Sequence, residues 1–362
     1  MNKLLLILSL LAMLACEKEN GKKSFEWKDV SPESTTYFQD IQMLNEHVGY
    51  VAGFINSGQY NVICTEIQPA DSNNYISLDN TLPYLSCSVI DTLPSASIMY
   101  KTIDGGKSWN PVTLPFSKYK HMSFVDEYLG FVLSGDGLYK TVNGGLSWQK
   151  IMENTAVYDY TSKSSVFQKI KFTGPDNGFL YTNIFMGGCV LVSVNGDGEL
   201  KKIISNRIQI PAPISFINGI EHNPADPEEV FILTHRNLYK YNENGDELEL
   251  LQNTNSFEKL AHAGGSTWYA SFSGILSVSD DTGTSWNNIS TLPVSNCSIL
   301  TSAGENFVCV SNKIGIYISD NGGLNFRQMS KPDVEITDIC FPTPQTGLAI
   351  GPNGRILRYF QD

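Results

Sequence analysis

The chain is short of basic residues, and of arginine above all. Lysine and arginine together number 25, against 37 aspartates and glutamates, and the net charge over 362 residues is −12. No basic stripe exists to neutralise a run of phosphates, which argues against nucleic acid as a partner. The same balance disfavours docking on anionic lipid through overall charge. Only five arginines occur, Arg207, Arg236, Arg327, Arg355 and Arg358. No apolar run is long enough to cross a bilayer, and beyond the N-terminal leader no long segment repeats with a 3.6-residue period. His47, His121, His222, His235 and His262 show neither HxH nor HxxxH spacing, the cysteines form no CxxC, and no G-x-S-x-G turn appears. Nothing in this inventory has the spacing of a zinc site or a serine-hydrolase elbow, so neither metal nor cofactor is expected.

What is present begins at the N-terminus. "MNKLLLILSLLAMLAC" places Lys3 before an apolar run from Leu4 to Leu14, then Ala15 and Cys16. Such a run is a secretory h-region rather than a membrane span. A small residue followed directly by cysteine resembles the cleavage box of bacterial lipoproteins, although Met13 stands where leucine is usual. Residues 1–15 are therefore expected to be a signal peptide, with Cys16 acylated and residues 16–23 a polar tether. The protein is expected to be exported and anchored in the envelope by lipid alone. Export also permits disulfides.

A short segment then recurs along the chain. "TIDGGKSW" (102–109) returns as "TVNGGLSW" (141–148), "SDDTGTSW" (279–286) and "SDNGGLNF" (319–326), with weaker copies "SVNGDGEL" (193–200) and "YNENGDEL" (241–248). The copies end at 109, 148, 200, 248, 286 and 326, a spacing near 40 residues. Short β-branched and aromatic runs flank each copy, separated by Gly, Asn and Asp turns, which is the signature of strands. Several copies are preceded by a strand pair of the form F-x-D…G-(Y/F)-V, as in "MSFVDEYLGFVLSG". Four strands per unit and a period near 40 predict propeller blades. Six copies give six blades, and the C-terminal "VEITDICFPTPQTGLAIGPNGRILRYFQD" supplies three strands of a seventh. "SFEWKDVS" (24–31), with Trp27 at the aromatic position, is expected to provide the missing strand and cover an open edge. The fold expected is thus all-β, a single seven-bladed β-propeller over 24–362 with four-stranded antiparallel blades and N-terminal closure. The first unit is twice the usual length, and its excess, about 56–97, is expected to be a long loop stapled by a Cys64–Cys87 disulfide.

The recurring turn resembles the Asp-box, or BNR repeat, of sialidases, sortilin-type receptors and other propellers. With its strand pair it is most similar to the propellers of the photosystem II stability/assembly factor family. That resemblance covers nearly the whole chain after the leader except the insertion, and it implies architecture more than activity. The residue types suggest a structural turn. Asp104, Asn143, Asp281 and Asn321 accept turn N–H groups. Gly106, Gly145, Gly283 and Gly323 supply positive φ. Trp109, Trp148, Trp286 and Phe326 wedge between sheets. Asp and Asn interchange at one position, which a metal or phosphate site would tolerate poorly.

Resemblance to sialidases would require three convergent arginines and a tyrosine nucleophile with an acidic partner. The five arginines include none in the first two blades, so catalysis is not expected. The acidic "HNPADPEE" (222–229) reads as a solvated loop rather than a calcium site. Chain topology puts the Asp-box turns on one face of the ring, and the insertion and blade-joining loops on the other. Tyr60, Tyr75, Tyr84, Tyr158 and Tyr160 fall on the second group, as a possible contact surface for protein or glycan. The sequence therefore predicts a non-catalytic, lipid-anchored propeller that binds a partner protein in the envelope. A glycan-binding or sialidase-like protein is the alternative.

Overall fold

The computed structural model describes residues 25–32, 36–55, 61–67, 84–90, 96–154, 157–158, 164–184, 188–205, 216–235, 237–242, 247–252, 257–312, 315–329 and 335–361. These residues form seven four-stranded antiparallel sheets and two separate two-stranded hairpins. Blade 1 comprises Thr36–Met43, Gly49–Ile55, Ser97–Thr102 and Asn110–Pro111; blade 2 comprises Tyr119–Phe124, Gly130–Ser134, Gly137–Thr141 and Gln149–Glu153. Blade 3 comprises Lys169–Gly174, Asn177–Ile184, Gly188–Val194 and Leu200–Ser205; blade 4 comprises Ile217–Asn223, Asp226–Thr234, Leu238–Asn242 and Glu247–Gln252. Blade 5 comprises Lys259–Gly264, Thr267–Phe272, Ile275–Ser279 and Asn287–Thr291; blade 6 comprises Ile299–Ser302, Val308–Ser311, Ile316–Ser319 and Arg327–Gln328. In blade 7 the C-terminal strands Asp338–Thr343, Thr346–Gly351 and Arg355–Gln361 are completed by the N-terminal strand Phe25–Asp29.

That last pairing closes the ring. Phe25 faces Gln361, Trp27 faces Tyr359 and Asp29 faces Leu357. The seam continues past the strand, where Val30 N donates to Ile356 O at 2.9 Å and Ile356 N donates to Ser31 Oγ at 2.8 Å. Joining the two chain ends in one sheet leaves the ring no unpaired blade to unzip.

The hydrophobic core is divided among the seams between blades. Seven hydrophobic clusters occur among the described residues, and each draws its side chains from two neighbouring blades. Second strands are sandwiched by blades on both faces, so they read as continuous apolar runs rather than alternating ones. All five residues of Gly130–Ser134 are buried. The "F…G" part of the strand-pair motif is a steric fit. Phe124 lies opposite Gly130 and Phe172 opposite Gly178, and a Cβ on either glycine would meet the facing ring at 2.3 or 2.4 Å. The aromatic side chain occupies the space the glycine leaves.

The insertion in blade 1 departs from expectation. It contains a hairpin of its own, Asn61–Ile67 paired with Tyr84–Ile90. Its runs "NVICTEI" and "YLSCSVI" carry the β-branched residues of strands, but no copy of the recurring turn follows them to mark a blade. Cys64 and Cys87 are direct register partners in this hairpin. A second hairpin, Val157–Tyr158 with Ser164–Ser165, sits in the connection from blade 2 to blade 3, where a plain loop was expected.

Candidate functional site

The recurring turns are built by local hydrogen bonding. In blade 1 the Thr102 hydroxyl donates to Asp104 Oδ1 at 2.8 Å and accepts Gly106 N at 2.8 Å. Asp104 Oδ1 also accepts Lys107 N and Ser108 N at 2.9 and 3.0 Å, while Oδ2 takes the Ser108 hydroxyl at 2.6 Å. Asn143 reproduces the arrangement, accepting Ser147 N at 2.9 Å and donating through Nδ2 to Ser147 Oγ at 2.8 Å. Asp281 accepts Ser285 N at 2.8 Å, and Asn321 accepts Asn325 N at 3.0 Å. A neutral amide therefore does the work of a carboxylate. The weaker copy at 193–200 keeps Asn195 accepting Glu199 N at 2.8 Å, but its positive φ moves to Gly198. Residues 243–246, in the other weak copy, lie outside the described residues.

Each turn is also a fastener between blades. Gly106, Gly145, Gly283 and Gly323 have φ between 79° and 90°. Added Cβ atoms there would meet Leu348, Val112, Phe231 and Leu276, each on the preceding blade. Trp109 joins the cluster at the seam of blades 7 and 1, Trp148 that of 1 and 2, Trp286 that of 4 and 5, and Phe326 that of 5 and 6. Trp27 does the same at the seam of 6 and 7. The leading hydroxyl and the Asp or Asn side chain of each of these four turns are engaged within the turn, so these recurring positions gather no site.

The innermost strands instead bring together titratable groups that the sequence reading passed over. A cavity of about 270 Å³ in the central channel is lined by His121, Lys169, Lys171, Glu221, Lys259 and Asp338, among others. Lys171 Nζ pairs with Glu221 Oε2 across blades 3 and 4 at 3.1 Å. At the seam of blades 1 and 2 the Tyr119 hydroxyl donates to Asp40 Oδ2, and His121 Nε2 lies 3.8 Å from Asp40 Oδ1. Loss of water around Asp338, together with the charge of Asp40, pushes its carboxyl up to about 7. Burial lowers the His121 imidazole, with Lys169 and Lys171 adding to the effect against Asp40, so the ring is neutral at pH 7. Burial and Asp40 raise the Tyr119 phenol far above its ordinary value, the reverse of what a tyrosine nucleophile needs. Lys169, Lys259 and Asp338 each begin an innermost strand. They therefore lie at the channel end away from the recurring turns, the end where the insertion also leaves blade 1. The signal for them was charged residues alternating within inner strands, as in "KIKF"; their convergence depends on ring closure.

The contact tyrosines can be placed only in part. Tyr84 and Tyr158 stand in the backbones of the two extra hairpins; Tyr60, Tyr75, Tyr160 and Cys16 lie outside the described residues. The described arginines do not meet in the channel. Arg327 pairs with Asp320 at 3.3 Å, Arg355 with Asp29 at 2.8 Å, and Arg358 donates to Gly105 O at 2.8 Å. In "HNPADPEE" the backbone is a strand hairpin, and Glu229 Oε2 accepts Asn223 Nδ2 at 2.9 Å. Among the described residues no group of three or more His, Cys, Asp or Glu is placed to hold a metal, and no helix is long and apolar enough to cross a membrane.

No protein-family model matches the sequence, and no curated protein matches it. Solved structures do match in fold. YCF48 bound to D1 peptide is 16 % identical, with a TM-score of 0.60 over 93 % of this chain and 97 % of that one. YCF48 from Cyanidioschyzon merolae is 13 % identical, with a TM-score of 0.58 over 92 % and 98 %. The extracellular domain ascribed to a one-component system of B. thetaiotaomicron is 13 % identical at a TM-score of 0.58; this chain covers 43 % of its length. At these identities the likeness is one of fold. The chain is a seven-bladed propeller similar to YCF48.

Proposed function

We propose that the protein is a non-catalytic, exported propeller that binds an envelope protein through the face opposite its Asp-box turns. Acylated Cys16 would hold it at the membrane. The observation that carries this reading is topological. Both additions to the plain ring, the hairpin between Asn61 and Ile90 and that between Val157 and Ser165, leave the blades at this one face. The channel cavity, with its charged lining, has Lys169, Lys259 and Asp338 at the same end. Elaboration confined to one face of a rigid scaffold is where binding residues concentrate. Similarity to a propeller that holds a peptide, and to an extracellular domain, supports protein binding and export. Tyr119 held as a protonated donor, and described arginines that stay apart, support the absence of sialidase chemistry.

Affinity capture from the native envelope, with the anchor retained, tests the reading. Replacing 56–95 by a two-residue turn, as blade 2 has at Gly135–Asp136, should release the partner while thermal unfolding of the ring stays cooperative, because Ile55 and Ala96 then remain as the turn's flanking pair. A folded deletion variant that keeps every interaction would overturn the choice of face. Turnover of a fluorogenic sialoside would overturn the non-catalytic assignment.

A further inference from the structure

The Asp-box face holds a second feature that the net charge conceals. Between blades 7 and 1 lies a cleft of about 470 Å³, lined by Lys28, Lys107 and Arg358 together with Val30, Gln345, Thr346 and Phe360. The lining has three cations and no acid, in a chain whose acids outnumber its bases. Lys28 and Arg358 are direct register partners in the pair that closes the ring. Side chains directly opposite across antiparallel strands share a face, and like charges there repel. Lys107, from the Asp-box turn of blade 1, brings a third positive charge to the same opening. Arg358 is fixed in place, with Nε donating to Gly105 O at 2.8 Å and its guanidinium 5.1 Å over the Phe360 ring. The acids nearby are committed elsewhere. Asp29 pairs with Arg355, and Asp104 is taken up by Thr102, Lys107 N and Ser108 within its turn.

We propose that this cleft binds a phosphate group. Two ammonium groups and a guanidinium match its charge, the guanidinium suits planar two-point contact with its oxygens, and an anion would cancel the repulsion built into the seam. The phosphate comes either from a lipid headgroup or from a soluble phosphate compound. Position favours the headgroup. Phe25 faces Gln361, where the third strand of blade 7 ends, so the chain enters the ring at the Asp-box end. Cys16 is nine residues before it, a reach of about 30 Å when extended. The lipid source, though not the phosphate chemistry, rests on the proposed acylation of Cys16.

The test uses the chain without residues 1–16, which keeps every strand of the ring. Inorganic pyrophosphate is titrated by calorimetry at low salt, and flotation is measured with vesicles of phosphatidylcholine alone or with phosphatidic acid. Pyrophosphate should bind, and the exposed-site double variant Lys28→Gln/Lys107→Gln should weaken it at least tenfold. Lys28→Arg/Lys107→Arg should retain binding. Lys140→Gln, which breaks a pair with Asp197 elsewhere, should change nothing. Flotation only with phosphatidic acid, lost in the double variant, assigns the lipid source; pyrophosphate binding without flotation assigns the soluble one. A folded protein that binds neither probe, or a folded double variant that binds pyrophosphate undiminished, overturns the proposal. Neither result depends on partner capture at the opposite face.

Discussion

A Cβ added to Gly106 of blade 1 would lie 2.6 Å from Leu348 Cδ2 of blade 7. The recurring turn is thus measured against its neighbour as well as against itself, and the two requirements can be separated. Gly106 has φ +79°, and Gly304, in a turn of blade 6, has φ +93° with nothing within 4 Å of an added Cβ. Gly304→Ala should cost only the left-handed strain, about 1–2 kcal/mol. Gly106→Ala should cost that and a further ~1–3 kcal/mol of overpacking at the seam. Urea unfolding of the two variants gives both numbers; equal losses would mean that Leu348 yields freely.

The carboxylate version of the turn carries a pH dependence that the amide version lacks. Burial tends to raise the Asp104 carboxyl, but hydrogen bonds from Ser108, Thr102 and Lys107 outweigh it and hold the group at about 2, below its ordinary 3.8. A depressed acid stabilises the fold above its unfolded pKa and loses that contribution as pH falls through the folded value. The stability difference between wild type and Asp104→Asn should therefore be constant above about pH 4 and shrink towards pH 2. Asn143→Ala should show no such acid limb, because nothing there titrates. Thermal unfolding between pH 2 and pH 7 checks both.

Where the fold was legible, the signal was local. Thr102, Asp104, Gly106 and Trp109 fit within one turn, so their pattern survives in eight residues and its period counts the blades. Trp27 announced the closing strand by occupying the same aromatic position. The channel was not legible in the same way. Asp40, His121, Lys169 and Asp338 sit on four blades; stacking of blades 1 to 3 brings the first three together, and ring closure adds Asp338. Nor does a sequence pattern connect Lys28 with Arg358, which lie near opposite ends of the chain and become partners when the first strand joins the last blade. The hairpin in the insertion was missed because its strands lack the recurring turn by which the blades are counted.

In that hairpin, Cys64 directly opposes Cys87. Opposed residues of an antiparallel pair have Cα atoms about 4.5–5.5 Å apart, within the range a disulfide spans. We expect the protein, exported as proposed, to carry a Cys64–Cys87 bond, worth about 3 kcal/mol to the hairpin's closure by loop entropy. Cys297, Cys309 and Cys340 are free thiols. Peptide mapping without reductant should recover residues 64 and 87 cross-linked, with those three alkylated only after unfolding. Finding 64 and 87 alkylated in protein purified from the envelope would refute the bond.

The channel makes a prediction of opposite sign to that of Asp104. Asp338 begins the innermost strand of blade 7 and holds its proton to about 7, because it has lost water and faces the charge of Asp40. Lys169 opposes this, and the neighbouring His121 is itself kept neutral. The unfolded chain releases the Asp338 proton near its ordinary 3.8. Between those values the folded protein binds more protons than the unfolded one, so stability falls as pH rises from about 4 to about 7 and levels off above that. Asp338→Asn keeps the shape and removes the ionisation. It should raise the Tm progressively across that window, with its full gain at pH 8 and little effect at pH 4. If Asp338 instead serves a cationic partner at the channel mouth, the same variant will weaken that capture most strongly above pH 7, where the carboxylate is formed. Melting curves and envelope capture, each run at pH 5 and pH 8, measure the two effects separately. A Tm gain that does not depend on pH would show that Asp338 does not titrate in this window.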